Sequence, residues 1–176
     1  MAILPILTAP DPRLKGRAAP VERVDDEIRR LMDDMLETMY LAPGIGLAAP
    51  QVGVSKRVIV IDVARDGEPP NPLKLVNPEI LWVSDEDVKY EEGCLSVPDQ
   101  YAEVARPGDV RIRYLDQQNE IREMTASGFL ATVIQHEIDH LDGILFIDHL
   151  SQLKRNMILR RLSKAKKSEA RQTATA

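Results

Sequence analysis

The residues best suited to chemistry lie in the run Q135-H-E-I-D-H-L141. Two histidines at i and i+4 of a helix point the same way, so their imidazoles can close on one cation. Glu137 would stand beside that cation, placed to move a proton to or from its water. Such a grip suits metal-assisted hydrolysis. Two ligands hold a catalytic metal poorly; a third is usual, with one position left open. The chain contains three histidines and one cysteine in all. His149 lies nine residues beyond His140, off the i, i+4 spacing and past the expected helix end. Cys94 lies in E91-E-G-C-L-S96, about forty residues upstream, where the preceding glycine lets the backbone come close to a metal. A thiolate with two imidazoles suits zinc or ferrous iron, so Cys94 is the leading third ligand and His149 has no assigned role. The plain alternative is a surface helix carrying two unrelated histidines.

These side chains need elements to position them. Ser127 stands where it can cap a helix running to about Leu141, and Gly143 lies just past its end. Leu130, Val133, Ile134, Ile138 and Leu141 form the apolar face of that helix. The segment G44-I-G-L-A-A-P-Q51 is too glycine-rich for a helix and predicts an extended stretch that something can approach at the backbone. Before it, Asp25 can cap a helix with Ile28, Leu31, Met32, Met35, Leu36 and Met39 on one face, ended by Pro43-Gly44. The methionines read as core. Residues 57–63 predict a strand, 73–83 one or two strands interrupted at Pro78, and 110–116 with 120–125 a pair across a turn at Gln117–Asn119. A last helix is predicted over about 151–168, with Leu153, Met157, Ile158 and Leu162 inward, followed by a flexible tail over 169–176. Antiparallel-type strands and three helices without βαβ alternation predict an α+β fold. Its sheets would pack around the histidine-bearing helix, with one helix towards each terminus.

Composition narrows the class further. The chain has 176 residues, 44% apolar and 29% charged, which fits one globular domain spanning 1–176. One Trp, two Phe and four Tyr leave the core to aliphatic side chains. A single cysteine excludes a disulfide framework, a CxxC redox site and an all-cysteine zinc site. The start, MAILPIL, has no cationic region and a short apolar run broken by Pro5, so no signal peptide is expected. No run approaches a membrane span, and a cytoplasmic protein without membrane or DNA partners is expected. The net charge of -5 is unevenly spread. Residues 154–176 hold eight Lys or Arg and only Glu169, giving +7, which leaves 15 basic and 27 acidic residues, or -12, in 1–153. Such a tail reads either as a solvated helix or as a docking element for something anionic.

Three segments together resemble the peptide deformylases: G44-I-G-L-A-A-P-Q51, E92-G-C-L-S96, and Q135-H-E-I-D-H-L141 followed by Gly143. Their order and spacing match that family's pattern, and the resemblance runs from the N-terminus through the last helix. HExxH alone is shared with many metallopeptidases; the three motifs in combination are highly specific. The resemblance implies removal of the N-formyl group from the formylmethionine that starts new polypeptides, releasing formate and a free amino terminus. It implies one divalent metal on Cys94, His136 and His140, physiologically Fe2+, with Zn2+, Ni2+ or Co2+ also accepted. Glu137 would be the general acid/base, and the Gln51 side chain and Leu95 backbone N–H would form the oxyanion hole. Ile45, Phe129 and Val133 are candidate walls of a methionine slot, and Gly44, Ile45 and Gly46 would pair with the peptide as an added strand. By the same resemblance, Lys154, Arg155, Arg160, Arg161, Lys164, Lys166 and Lys167 could face ribosomal RNA, and the chain would be a monomer.

One departure is visible. Some members carry an arginine where Tyr101 stands here, which bears on peptide recognition and leaves the metal set untouched. Glu92 reads as a structural residue that positions the cysteine loop. Two rivals remain: an HExxH endopeptidase, whose downstream third ligand is missing, and a non-catalytic ribosome-associated metal-binding module, which intact Glu137 and Gln51 argue against.

Overall fold

The computed structural model describes residues 2–175, with side chains to position 173. A five-stranded antiparallel sheet has the order β1 (Gly46–Ala48), β2 (Val58–Ile61), β3 (Leu73–Val83), β6 (Asp109–Leu115), β7 (Ile121–Ser127). A separate hairpin pairs β4 (Asp87–Cys94) with β5 (Val97–Pro107). The three helices are α1 (Asp26–Leu41), α2 (Gly128–Leu141) and α3 (Gln152–Thr175). This is the α+β arrangement expected. Among the described residues, no helix is long and apolar enough to cross a membrane.

The period-2 alternation of a strand explains why β2 is buried throughout. Val58 and Val60 face Met32, Met35 and Met39 of α1, whereas Ile59 and Ile61 face Ile134, Ile138 and Leu141 of α2. The sheet therefore carries α1 on one face and the histidine-bearing helix on the other. α1 starts where expected, with the Asp25 carboxylate accepting the Ile28 N–H at 3.0 Å and Asp26 and Glu27 in its positive first turn. A third core joins Val97 and Val104 of β5 to Phe146, Ile147, Ile158 and Leu162.

Several local expectations change. The segment 73–83 is one strand that bulges at its proline: Asn77 adopts φ 50°, and the register with β6 slips between Val76 and Glu79. A bulge accommodates the residue that cannot donate to the ladder. Ser127 occupies the cap position of α2 without a capping hydrogen bond. It is held instead in the sheet opposite Asp109, and Gly128, at φ +61°, makes the turn from strand to helix. Leu153 and Met157 are not inward; they are 72% and 42% exposed, and α3 buries Ile158 and Leu162 instead, with Leu159 packed beside them. The helix also passes the expected end near residue 168 and continues to Thr175. No Gly or Pro interrupts 152–175, so most of the expected flexible tail is helical. Ala176 lies outside the described residues.

Candidate metal centre

α2 carries His136 and His140 one turn apart, with ring centroids 5.1 Å apart. Cys94 meets them from the hairpin. It pairs with Val97 across the two-residue turn Leu95–Ser96, and a register slip at Gly93 turns the end of β4 towards the helix. Cys94 Sγ lies 3.3 Å from His140 Nε2, and one donor atom from each of the three residues lies within 4.8 Å of the others. Bonds of about 2.3 Å to sulfur and about 2.1 Å to nitrogen at tetrahedral angles would hold S and N about 3.6 Å apart. The Cys94–His140 pair stands close to that spacing and all three donors lie near enough to form one divalent-cation site.

The electrostatics agree. Burial opposes charge on His136, yet its contacts with Cys94 and Glu92 push it well above the ordinary histidine range. Burial pushes His140 well below that range, helped by positive charge on His136 and Arg106. The site therefore favours positive charge between its ligands but has no room for two imidazolium ions, a need that a single cation meets.

Gln51 is 1% exposed and sits in a 3-10 turn over Ala49–Val52. Its Oε1 accepts the Ala48 N–H at 2.9 Å, which fixes the amide orientation. Its Nε2 then donates to Ser96 Oγ at 2.9 Å and lies 3.5 Å from Cys94 Sγ. The Ser96 N–H also points at that sulfur, at 3.4 Å. Both donors converge on the sulfur and hold it in place beside the histidines. Glu137 is buried against β1, where a Cβ at Gly46 would fall 2.6 Å from its Oε1. Only glycine lets that carboxyl in. Its other oxygen, Oε2, is buried without a hydrogen-bond partner. Burial pushes the Glu137 carboxyl up to about 7.

A cavity of about 700 Å³ opens onto this centre. It brings together Gly44, Ile45, Gly46, Gln51, Cys94, Leu95, Phe129, Val133, His136 and Glu137, while His140 lies behind its wall. Phe129, Val133 and His136 follow one another at i, i+4 and i+7 on the cavity face of α2. Gly44 is matched to Leu95, since a Cβ there would fall 2.8 Å from Leu95 Cδ1.

The family described as polypeptide deformylase matches residues 3–156 of the sequence. The chain belongs to that family. A peptide deformylase of Phenylobacterium zucineum is 61% identical over 168 residues, covering 96% of this chain and 99% of that one. One of Rhizobium meliloti is 54% identical, covering 96% and 97%. Among solved structures, the peptide deformylase of Ehrlichia chaffeensis superposes with a TM-score of 0.92 at 40% identity, covering 96% of this chain and 99% of that one. That of Legionella pneumophila gives 0.88 at 48% identity, covering 97% and 99%.

Around the donors, this deformylase has a charged surround that the motifs only half announce. Glu92 does more than shape the cysteine loop: its Oε1 lies 2.9 Å from His136 Nδ1. That contact leaves Nε2 of His136 facing Cys94 and holds the ring in place. Burial raises the Glu92 carboxyl, but His136 and Arg106 outweigh it and hold the group below the usual carboxylate range. Arg106 grips both Glu92 oxygens, at 2.7 and 2.9 Å, and reaches Asp139 at 2.8 Å. Sequence reasoning missed Arg106, Asp139 and Ser96. Ser96 lay inside a quoted motif, but Arg106 is joined to the site only through strand pairing, which no local pattern shows. Tyr101 lines the cavity mouth and is 66% exposed. Its ring lies over Gly93, where a Cβ would fall 2.6 Å from Tyr101 Cε1.

Proposed function

We infer that this chain hydrolyses the N-formyl group of formylmethionine at the start of nascent polypeptides, releasing formate and a free amino terminus. The observation that carries the reading is one cavity uniting a Cys-His-His donor set with a buried carboxylate and a buried amide, in a chain of the deformylase family. Cys94, His136 and His140 would hold a divalent cation, which when bound would supply Lewis acidity towards water and the formyl oxygen. Ferrous iron is the expected physiological ion, and the same donors accept zinc, nickel or cobalt.

The chain's own residues do the rest. Glu137 takes the proton of the attacking water on its unpartnered oxygen and delivers it to the departing amine nitrogen. The Gln51 amide, locked by Ala48 and Ser96, and the Leu95 backbone N–H donate to the oxygen on which negative charge develops. Gln51 is held at both ends of its amide, so only its long contact with Cys94 Sγ has to be exchanged for that oxygen. Phe129 and Val133 on α2, with Ile45 opposite, form the slot for the methionine side chain. β1 is the edge strand of its sheet, and Gly44–Gly46 gives the peptide a free edge to pair with. Such pairing reads backbone and tolerates varied sequence after the first residue.

The test is formate release from a formyl-Met peptide by reduced, ferrous-loaded protein, with an unformylated peptide assayed for internal cleavage. Release of formate with the second peptide intact is the expected result. No formate would overturn the reading, and internal cleavage would favour an endopeptidase.

We propose a second partner for the basic face of α3, ribosomal RNA. Lys154, Arg160, Arg161, Lys164, Lys166 and Lys167 are exposed. Arg160, Lys164 and Lys167 line one shallow groove. Arg155 is partly engaged with Asp148 at 2.8 Å, and Lys166 with the Thr8 carbonyl at 2.7 Å. Removing the helix would strip Ile158 and Leu162 from the core, so charge reversal at 160, 164 and 167 is the cleaner probe. Ribosome binding should weaken in that variant and weaken with salt. Equal affinity of both proteins at low and moderate salt would overturn the docking proposal.

A further inference from the structure

His149 is the one histidine outside the metal centre, yet it stands at the outer end of a line of contacts leading into it. His149 Nε2 lies 2.9 Å from Asp139 Oδ2. The same oxygen accepts Arg106 Nη1 at 2.8 Å. Arg106 grips Glu92 with Nε and Nη2, and Glu92 Oε1 meets His136 Nδ1 at 2.9 Å. Side-chain exposure falls along this line from 39% at His149 to 21% at Asp139 and 5% at both Arg106 and Glu92.

We propose that His149 is a positioning residue for the metal centre. Its ring N–H is the second donor on Asp139 Oδ2 and holds that carboxylate against Arg106. The Arg106–Glu92 fork that orients the His136 ring is set in this way.

The turn that bears His149 supports this by its second contact with the same ligand. Residues Phe146–His149 form a 3-10 turn, and Phe146 at its start stacks on the His136 ring at 6.1 Å between centroids and 23° between planes. One short element thus touches His136 on its face through Phe146 and on its Nδ1 edge through the line of charges. The turn is itself anchored. Asp148 accepts the Leu145 N–H at 2.9 Å and Arg155 Nε at 2.8 Å, and it also pairs with Lys15. Asp139 is less fixed, being partly exposed. Two donors converging on one oxygen restrict its rotamer, and losing one of them frees it to turn towards water. The effect must be smaller than that of a direct partner of a metal-ligating imidazole, which is worth about 10- to 100-fold in affinity or activity.

Full-length protein loaded with Co2+ tests this without substrate, and the proposal leans on the functional reading only for its kinetic readout. His149→Phe should shift the visible absorption bands of bound Co2+. It should also release the ion to a chelator about three- to fivefold faster, and lower kcat about threefold with KM unchanged. His149→Gln, whose amide can still donate to Asp139, should stay within about twofold of the unmutated protein. Asp139→Asn gives a second route should the phenylalanine variant fold poorly. It should reproduce the spectral and release changes, and adding His149→Phe to it should change nothing more. Unaltered Co2+ spectra and release in both His149→Phe and Asp139→Asn would overturn the proposal, as would failure of His149→Gln to rescue. If the unmutated protein released no formate, only the functional reading would fall, since spectrum and ion release would still decide this one.

Discussion

α2 and α3 have overlapping vocabularies of Leu, Ile, Ala and polar residues, and their fates are opposite. Ten of the 14 residues of α2 are buried. Of α3, 24 residues long, the described side chains bury only Ile158 and Leu162. In α2 a polar group must find a partner or cost about 1–3 kcal/mol. Gln135 complies, donating to the carbonyls of Pro107 and Ala131 at 2.9 and 3.1 Å, and His136 complies through Glu92. Glu137 Oε2, His140 Nδ1 and Thr132 Oγ1 do not. Of these three atoms, those of Glu137 and His140 belong to the metal centre, and Thr132 lines the cavity beside it. On a surface helix no such atom need arise, because water satisfies its charges wherever they fall.

The sharpest way to break this contrast is at Glu137. Glu137→Ala removes an unpaired buried carboxyl, so the folded state should lose little, while deformylation should fall by about 10²- to 10⁴-fold. Metal content and thermal unfolding are measured beside the rate; loss of the metal would mean that Glu137 is a structural support for the site. Arg106 is the opposite case, a buried charge with every neighbour engaged. Arg106→Met leaves Glu92 and Asp139 without their cation and should destabilise by about 3–5 kcal/mol, read by urea unfolding. A loss below about 1 kcal/mol would show that the buried pair is not compensating its own desolvation.

The same contrast explains how much could be read in advance. The metal donors were legible because helix periodicity puts His136 and His140 on one face, and because the composition leaves one thiol to complete the set. α1 was legible for the same reason, with a cap at Asp25 and its methionines at helical spacing. The β4–β5 hairpin was not anticipated. Its strands alternate charged and apolar residues only loosely, and its turn, Leu95–Ser96, lacks the Asn-Gly or Asp-Gly signal that announces a tight hairpin. Arg106, carried to the site by that hairpin, was invisible with it. The inward face of α3 was misread because its apolar residues are spaced for a wider contact than the body provides.

That misreading leads to a smaller comparison. Ile134 of α2 is fully buried in the sheet core and Leu153 of α3 is largely exposed. Ile134→Ala should cost about 2–5 kcal/mol, whereas Leu153→Ala should stay within about 0.5 kcal/mol. Denaturant unfolding of the two variants measures the difference, and similar losses would mean that α3 is held more tightly than its exposure indicates.

A smaller loss than at Ile134 concerns the point where α3 is tied to the body. Burial raises the Asp148 carboxyl, but Lys15, the Leu145 N–H and Arg155 outweigh it, so the group is held below the usual carboxylate range. A carboxylate depressed on folding adds stability that is fully present above its unfolded value, near 4. That stability is lost as pH falls through the lower folded value. Asp148→Asn should therefore cost about 1–2 kcal/mol at pH 7, the scale of a hydrogen-bonded charge. The gap between the two proteins should close as unfolding is followed downwards from pH 5. A gap that stays constant across that range would assign the contribution of Asp148 to its neutral hydrogen bond with Leu145, and the anchoring of α3 to packing at Ile158 and Leu162 alone.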